Sequence, residues 1–159
     1  MKISSIILFA AYNLFWGDPS TPPLVSVEGE EVAFDYNWKD VNPMELSIRN
    51  RGREEFCVIV EPSWVAQSLT LFEFDRHGNP SHLDYEGAFY SPSNFDDAVH
   101  CALPGDSVNI TSDLRYFYDI EEGDKALLVF DLYIYESGAT EMHEMKLIEL
   151  HSIAKFIEF

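Results

Sequence analysis

Positive charge is scarce in this sequence: 10 Lys plus Arg stand against 28 Asp plus Glu, a formal charge of −18. A field of that sign repels phosphate backbones and anionic headgroups, so neither nucleic acid nor a membrane surface is an expected partner. Cysteine is almost absent, with only Cys57 and Cys101. Without a C-x-x-C pair, Cys57, His100 and Cys101 lack the ligand spacing of a zinc site. No uncharged apolar run reaches the roughly 20 residues that span a bilayer; the longest goes from Ile3 to Trp16. Helical periodicity, internal repeats and low-complexity tracts are missing too. That excludes helix bundles, solenoids and long disordered tails.

What is present fits one core. A chain of 159 residues with 47% hydrophobic content allows a single domain and leaves no room for two. Twelve Phe, eight Tyr and three Trp supply side chains large enough to fill the space between two sheets. Met1-Lys2, the run from Ile3 to Trp16 and the breaker Gly17-Asp18-Pro19 resemble a secretory signal peptide. Residues 1–17 are therefore read as a signal segment, or else as a hydrophobic arm that stays and packs on the body, and the location as secreted or periplasmic. Pro19, Pro22 and Pro23 deny ladder donors to residues 18–30, an extended lead-in. Residues 31–159 form the domain.

Within it the period is two. Val32, Phe34, Tyr36 and Trp38 alternate with Ala33, Asp35 and Asn37, as on a strand with one buried face. Further strands are expected at 45–48, 55–61 and 68–75, separated by Asn50-Arg51-Gly52-Arg53 and by Pro62-Ser63, both read as turns. An irregular crossover follows at 81–97, with a short strand near Ala88 to Tyr90. Val108 and Ile110 face the core while Ser107, Asn109 and Thr111 face water. Ala126, Leu128, Phe130, Leu132 and Ile134 share one face of the longest strand, placed centrally, with Asp131, Tyr133 and Tyr135 opposite. From Met145 to Phe159 the alternation changes phase near His151-Ser152, as at a bulge or sheet switch. The fold class expected is all-β: an immunoglobulin-like antiparallel β-sandwich of about seven to nine strands.

Short blocks of the sequence resemble the non-catalytic amino-terminal domain of secreted metallopeptidases of the deuterolysin and peptidyl-Lys metalloendopeptidase group. Leu46-Ser47-Ile48-Arg49-Asn50-Arg51-Gly52 is similar to that domain's LTNTG strand and turn, and Phe72-Glu73-Phe74-Asp75-Arg76-His77-Gly78-Asn79-Pro80 to its FEVTRDGxP block. Tyr85-Glu86-Gly87 matches a YxG that follows, and Leu103-Pro104-Gly105-Asp106-Ser107-Val108 resembles LAAGESV. Ser112-Asp113-Leu114 with Tyr118-Asp119-Ile120 resembles VDLSxxYDL, and Leu150-His151-Ser152 the final LESN strand. The blocks keep the family's order from Val41 to Phe159; the departure is Asp124-Lys125-Ala126 after Gly123, where the family usually has a Tyr. The resemblance implies an immunoglobulin-like sandwich whose chemistry belongs to a separate catalytic domain carrying a HExxH helix.

No reactive constellation is recognisable in the residues themselves. His143-Glu144-Met145-Lys146-Leu147 has Leu147 where the second zinc-binding His of HExxH would stand, so it is read as a surface turn. No Ser stands in a G-x-S-x-G elbow, and His77, His82, His100 and His151 are scattered. Asn94 with Asp96-Asp97, and Glu121-Glu122 with Asp124, lack the spacing of a calcium loop and are read as solvated. No enzyme activity, no cofactor and no metal are expected. Cys57 and Cys101 are expected to pair in an oxidising compartment. Asn109-Ile110-Thr111 is a glycosylation sequon whose Asn109 should be exposed.

Function then falls to binding. The first reading is a secreted domain that docks on a peptidase or another extracellular protein, as an inhibitor-like relative of a prodomain. The second is an acidic immunity or adaptor protein that neutralises a basic toxin. The third is a carbohydrate-binding or structural module, for which Trp16, Trp38 or Trp64 would have to line up on an exposed face. The candidate docking loop lies at 84–97, where Tyr85, Phe89, Tyr90 and Phe95 stand among Asp96 and Asp97. The alternative is that those aromatics fold back over the core.

Overall fold

A computed structural model describes residues 24–29, 31–41, 43–75, 77–87 and 94–159. In chain order the elements are β1 (Val25–Glu28), β2 (Ala33–Val41), β3 (Met44–Asn50), β4 (Phe56–Ile59), α1 (Pro62–Gln67), β5 (Leu69–Phe74) and β6 (Pro80–Leu83). They continue with α2 (Phe95–Ala98), β7 (Val99–Ala102), β8 (Ser107–Ser112), β9 (Lys125–Glu136) and β10 (Leu147–Glu158). The fold is the expected all-β sandwich, with ten strands among the described residues rather than seven to nine. Sheet A has the order β1-β2-β3-β8. In the six-stranded sheet B, β10 pairs along one side of β9. The other side of β9 is shared by β5 over Ala126 to Phe130 and by β4 at Tyr135 and Glu136. All pairings are antiparallel.

The central place of β9 follows from its sequence. Ala126, Leu128, Phe130, Leu132 and Ile134 are all buried, which closes one face over the whole strand. Against them sheet A turns Phe34, Trp38, Leu46, Ile48, Val108 and Ile110 inward. Side chains of this size contribute about 1.5–3 kcal/mol each when fully buried. β8 has the expected phase: Val108 and Ile110 are buried, and Asn109 is exposed.

Three local readings are corrected. Pro62-Ser63 opens a helix rather than a turn: Glu61 caps it by accepting from Trp64 N at 2.8 Å, and Pro62 stands where no amide is needed. The tail is one continuous strand, with its register shift between Leu147 and Glu149 and none at His151-Ser152. The phase changed in sequence because β10 points Glu149, His151 and Lys155 inward alongside Ile153 and Ile157. Finally, the lead-in contributes β1, which pairs with β2 from Val25↔Tyr36 to Glu28↔Ala33. The strand expected near Ala88 to Tyr90 and the segment 1–17 lie outside the described residues.

β10 lies in step above β2. Glu149 Oε2 accepts from Val32 N at 2.8 Å, the His151 and Phe34 rings meet edge to face at 5.1 Å, and Lys155 Nζ sits 5.4 Å over Trp38. All three contacts share one offset of 117 positions. Burial pulls the Lys155 ammonium below its ordinary range, with Asp40 opposing.

Candidate functional site

The two cysteines stand opposite each other on β4 and β7 and form a disulfide. Cys57 lies in a second, smaller cluster with Ile59, Ala98 and Val99. Asn109 projects from the outer face of sheet A and accepts from Lys39 Nζ at 3.0 Å. His143 and Glu144 sit in an exposed 3-10 turn (Met142–Glu144), and Leu147 begins β10.

The aromatics of the 84–97 stretch that can be placed turn inward. Tyr85 stacks on Phe117 with centroids 5.9 Å apart and meets Tyr118 edge-on at 5.8 Å. Phe95 packs on the smaller cluster beside the disulfide. Phe89 and Tyr90 lie outside the described residues. Asp96 and Asp97 are exposed in the first turn of α2, which Asn94 caps by accepting from Asp96 N at 3.1 Å and donating to Asp97 Oδ2 at 2.8 Å. Of the six residues named for the loop, only these two carboxylates are placed facing water.

Neither of the two tryptophans that are described presents a flat exposed face: Trp38 is 7% exposed and Trp64 packs on the smaller cluster.

A different surface carries exposed aromatic area. On the outer face of sheet B, register sets Phe156 opposite Leu127, Leu127 opposite Phe72, and Phe72 opposite His82. This apolar row crosses β10, β9, β5 and β6. Phe156 is 66% exposed and Phe74 38%, and their rings meet at 5.9 Å. Phe72 meets the His82 ring edge-on at 5.8 Å. Farther along, Val129 pairs with Ala154, and Leu150, 48% exposed, stands opposite Tyr133. Between them Ser152 Oγ donates to Asp131 Oδ1 at 2.6 Å. The phenol of Tyr135, on the same face, is pushed up by burial and by Tyr133.

No protein-family model and no curated protein matches the chain. The outer face of sheet B escaped sequence reasoning, although a signal was there: β5 and β9 are apolar on both faces, the pattern of strands covered on both sides.

Chemically, this face offers rigid aromatic and aliphatic area with little hydrogen bonding. Among the described residues no group of three or more His, Cys, Asp or Glu could hold a metal ion. At the edge of this face Lys125 pairs with Glu158 at 3.2 Å, and three arginines, Arg49, Arg51 and Arg53, follow one another at and just after the end of β3. Arg51 pairs with Glu28 at 2.9 Å and with Asp35 at 3.1 Å, and Asp35 also accepts from Ser26 Oγ at 2.7 Å.

Proposed function

We propose that the chain is a secreted or periplasmic, non-enzymatic protein-binding domain, related to the amino-terminal domain of deuterolysin-type metallopeptidases, that docks through the outer face of sheet B. The observation that carries this reading is the row Phe156, Leu127, Phe72 and His82 with Phe74 beside it. Sheet faces of soluble monomers rarely leave such an apolar strip to water, and exposed patches of this kind serve as interaction sites. Aromatic side chains on a rigid sheet lose little conformational freedom when a partner covers them. A disulfide-bonded pair is compatible with an oxidising location. A charge of −18 favours a basic partner, whether a peptidase or a toxin-like protein, by steering the encounter.

Purified extracellular HExxH metallopeptidase and a basic non-peptidase protein of similar size, each titrated against the chain and against Phe74→Ala/Phe156→Ala, test the reading. Phe74 and Phe156 together expose about as much area as one fully exposed Phe, worth about 1.5–3 kcal/mol on burial, so the double variant should weaken partner binding by about 10-fold or more. Association should slow as salt rises, because the steering field is screened. Binding that the double variant leaves unchanged would move the interface elsewhere. Binding to the basic protein but not to the peptidase would select the immunity-like role over the prodomain-like one.

A further inference from the structure

We propose that the free edge of β10 takes one extended segment of a partner protein, with apolar residues at alternate positions and basic residues at its ends, as an added strand of sheet B. The inference deepens the binding-domain reading and rests on it.

Hydrogen-bond phase defines the edge. Phe159 N donates to Asp124 O at 2.9 Å, in the register that also pairs Ile157 with Ala126 and Ile153 with Phe130. In an antiparallel ladder every second residue turns its amide and carbonyl to the same neighbour. The odd-numbered residues of β10 therefore serve β9. On the other side of β9, Asp131 N donates to Ser68 O at 2.9 Å, in keeping with that alternation. The even-numbered residues Leu150, Ser152, Ala154 and Phe156 turn their backbone groups to the opposite edge, where no strand pairs with them among the described residues.

A ledge lies below that edge. Because β10 stacks in step over β2, the next strand out in sheet A, β1, extends past the end of sheet B. β1 turns Val25 and Val27 toward the interior, opposite Tyr36 and Phe34, yet both remain half-exposed. One strand added to β10 would satisfy the four open amides and lie over these valines. Among the described residues the ledge is one strand wide, and this selects the occupant. A second copy joined edge to edge through β10 would bring its own β2 into the space that β1 fills. A single extended segment meets no such obstacle, and strand addition of this kind is an established mode of peptide capture. Exposed Glu31 borders one end of the ledge and Asp40 borders the other, which favours cationic ends on the segment.

Amide hydrogen exchange on the full chain tests this, alone and with a lysine-flanked synthetic peptide of alternating valine and threonine. In the free protein the amides of Leu150, Ser152, Ala154 and Phe156 should exchange fast, while those of His151, Ile153, Lys155 and Ile157 are protected. The peptide should slow the first set by at least about tenfold, and the same peptide N-methylated at alternate residues should not. Ala154→Pro removes an amide that only the added strand uses, and an edge strand tolerates it. It should keep the wild-type far-ultraviolet spectrum and odd-residue protection but lose the peptide effect. Slow exchange of the even set in the free protein would overturn the proposal, because the chain's own residues would then cover the edge. Equal peptide binding to wild type and Ala154→Pro would overturn it too. If the peptide has no effect while a partner still binds through Phe74 and Phe156, the edge site fails and the binding-domain reading stands.

Discussion

The Glu149 carboxylate fills the space that a side chain at Gly29 would need. Its Oε2 accepts from Val32 N at 2.8 Å and from Glu31 N at 3.3 Å, and a Cβ on Gly29 would run into the same oxygen. The β1-β2 turn, closed by Gly29 N donating to Val32 O at 2.8 Å, is thereby tied to β10 in the opposite sheet. Gly29→Ala should push the carboxylate off the turn, and Glu149→Ala should remove it. Glu149→Ala leaves the Val32 amide short of an acceptor, at a cost of about 1–3 kcal/mol, and Gly29→Ala, which a shift of the flexible end of Glu149 relieves, should cost less. Urea denaturation of both variants measures this. The double variant should lose little more than Glu149→Ala alone, since both act on one contact.

The disulfide joins two neighbouring strands and closes a loop of 44 residues. Chain-entropy reasoning gives it about 4 kcal/mol. Reduction, or Cys57→Ala/Cys101→Ala, should lower the denaturation midpoint accordingly. Thiol titration in denaturant should find no free cysteine in the untreated protein and two after reduction.

Tyr118 should make the protein sensitive to alkali. Its buried hydroxyl donates within reach of two carbonyls, Ala66 O at 2.8 Å and Leu69 O at 3.1 Å. Burial, with a smaller contribution from Tyr85, pushes its ionisation well above the ordinary tyrosine value. A group whose folded pKa is raised stabilises fully below its unfolded value and loses that stabilisation as pH rises toward the folded value. The loss should therefore begin near pH 10 and deepen above it. Tyr118→Phe should be less stable at neutral pH by about 1 kcal/mol, with a shallower alkaline decline. Absorbance at the phenolate band, followed with circular dichroism, separates ionisation from unfolding.

The legible part of the fold is the part where one face is closed and the other wet. β8 shows this best: Val108 and Ile110 fix its phase, and the exposed Asn109 follows. β9 was equally readable along its buried face. α1 was not, because six residues are too few to display a helical period and Pro62-Ser63 has the composition of a turn. β10 was misread because Glu149, His151 and Lys155 point inward to meet the β1-β2 turn, Phe34 and Trp38. Such contacts depend on the other sheet and leave no mark on local alternation. The docking face was hidden for a related reason. Sequence shows that β5 and β9 are apolar on both faces, but not that α1 and α2 leave the outer face at Phe72 and Leu127 open. Aromatic content pointed instead to the 84–97 stretch, where Tyr85 and Phe95 fold inward.

Asn109 provides an independent check on which face is free. It stands on the outer face of sheet A, away from the Phe74 and Phe156 strip. Passage through a eukaryotic secretory route should add a glycan there, seen as a mass increase that Asn109→Gln abolishes. Partner binding should survive the modification. A glycan that blocks binding would shift the interface to sheet A.

Hydroxyl-radical footprinting of the partner complex tests the docking face most directly. Phe74, Leu150 and Phe156 should be oxidised readily in the free chain and protected in the complex. Tyr116, 80% exposed and outside that face, should react equally in both. Protection confined to residues 84–97, with Phe74 and Phe156 still oxidised in the complex, would contradict docking through sheet B.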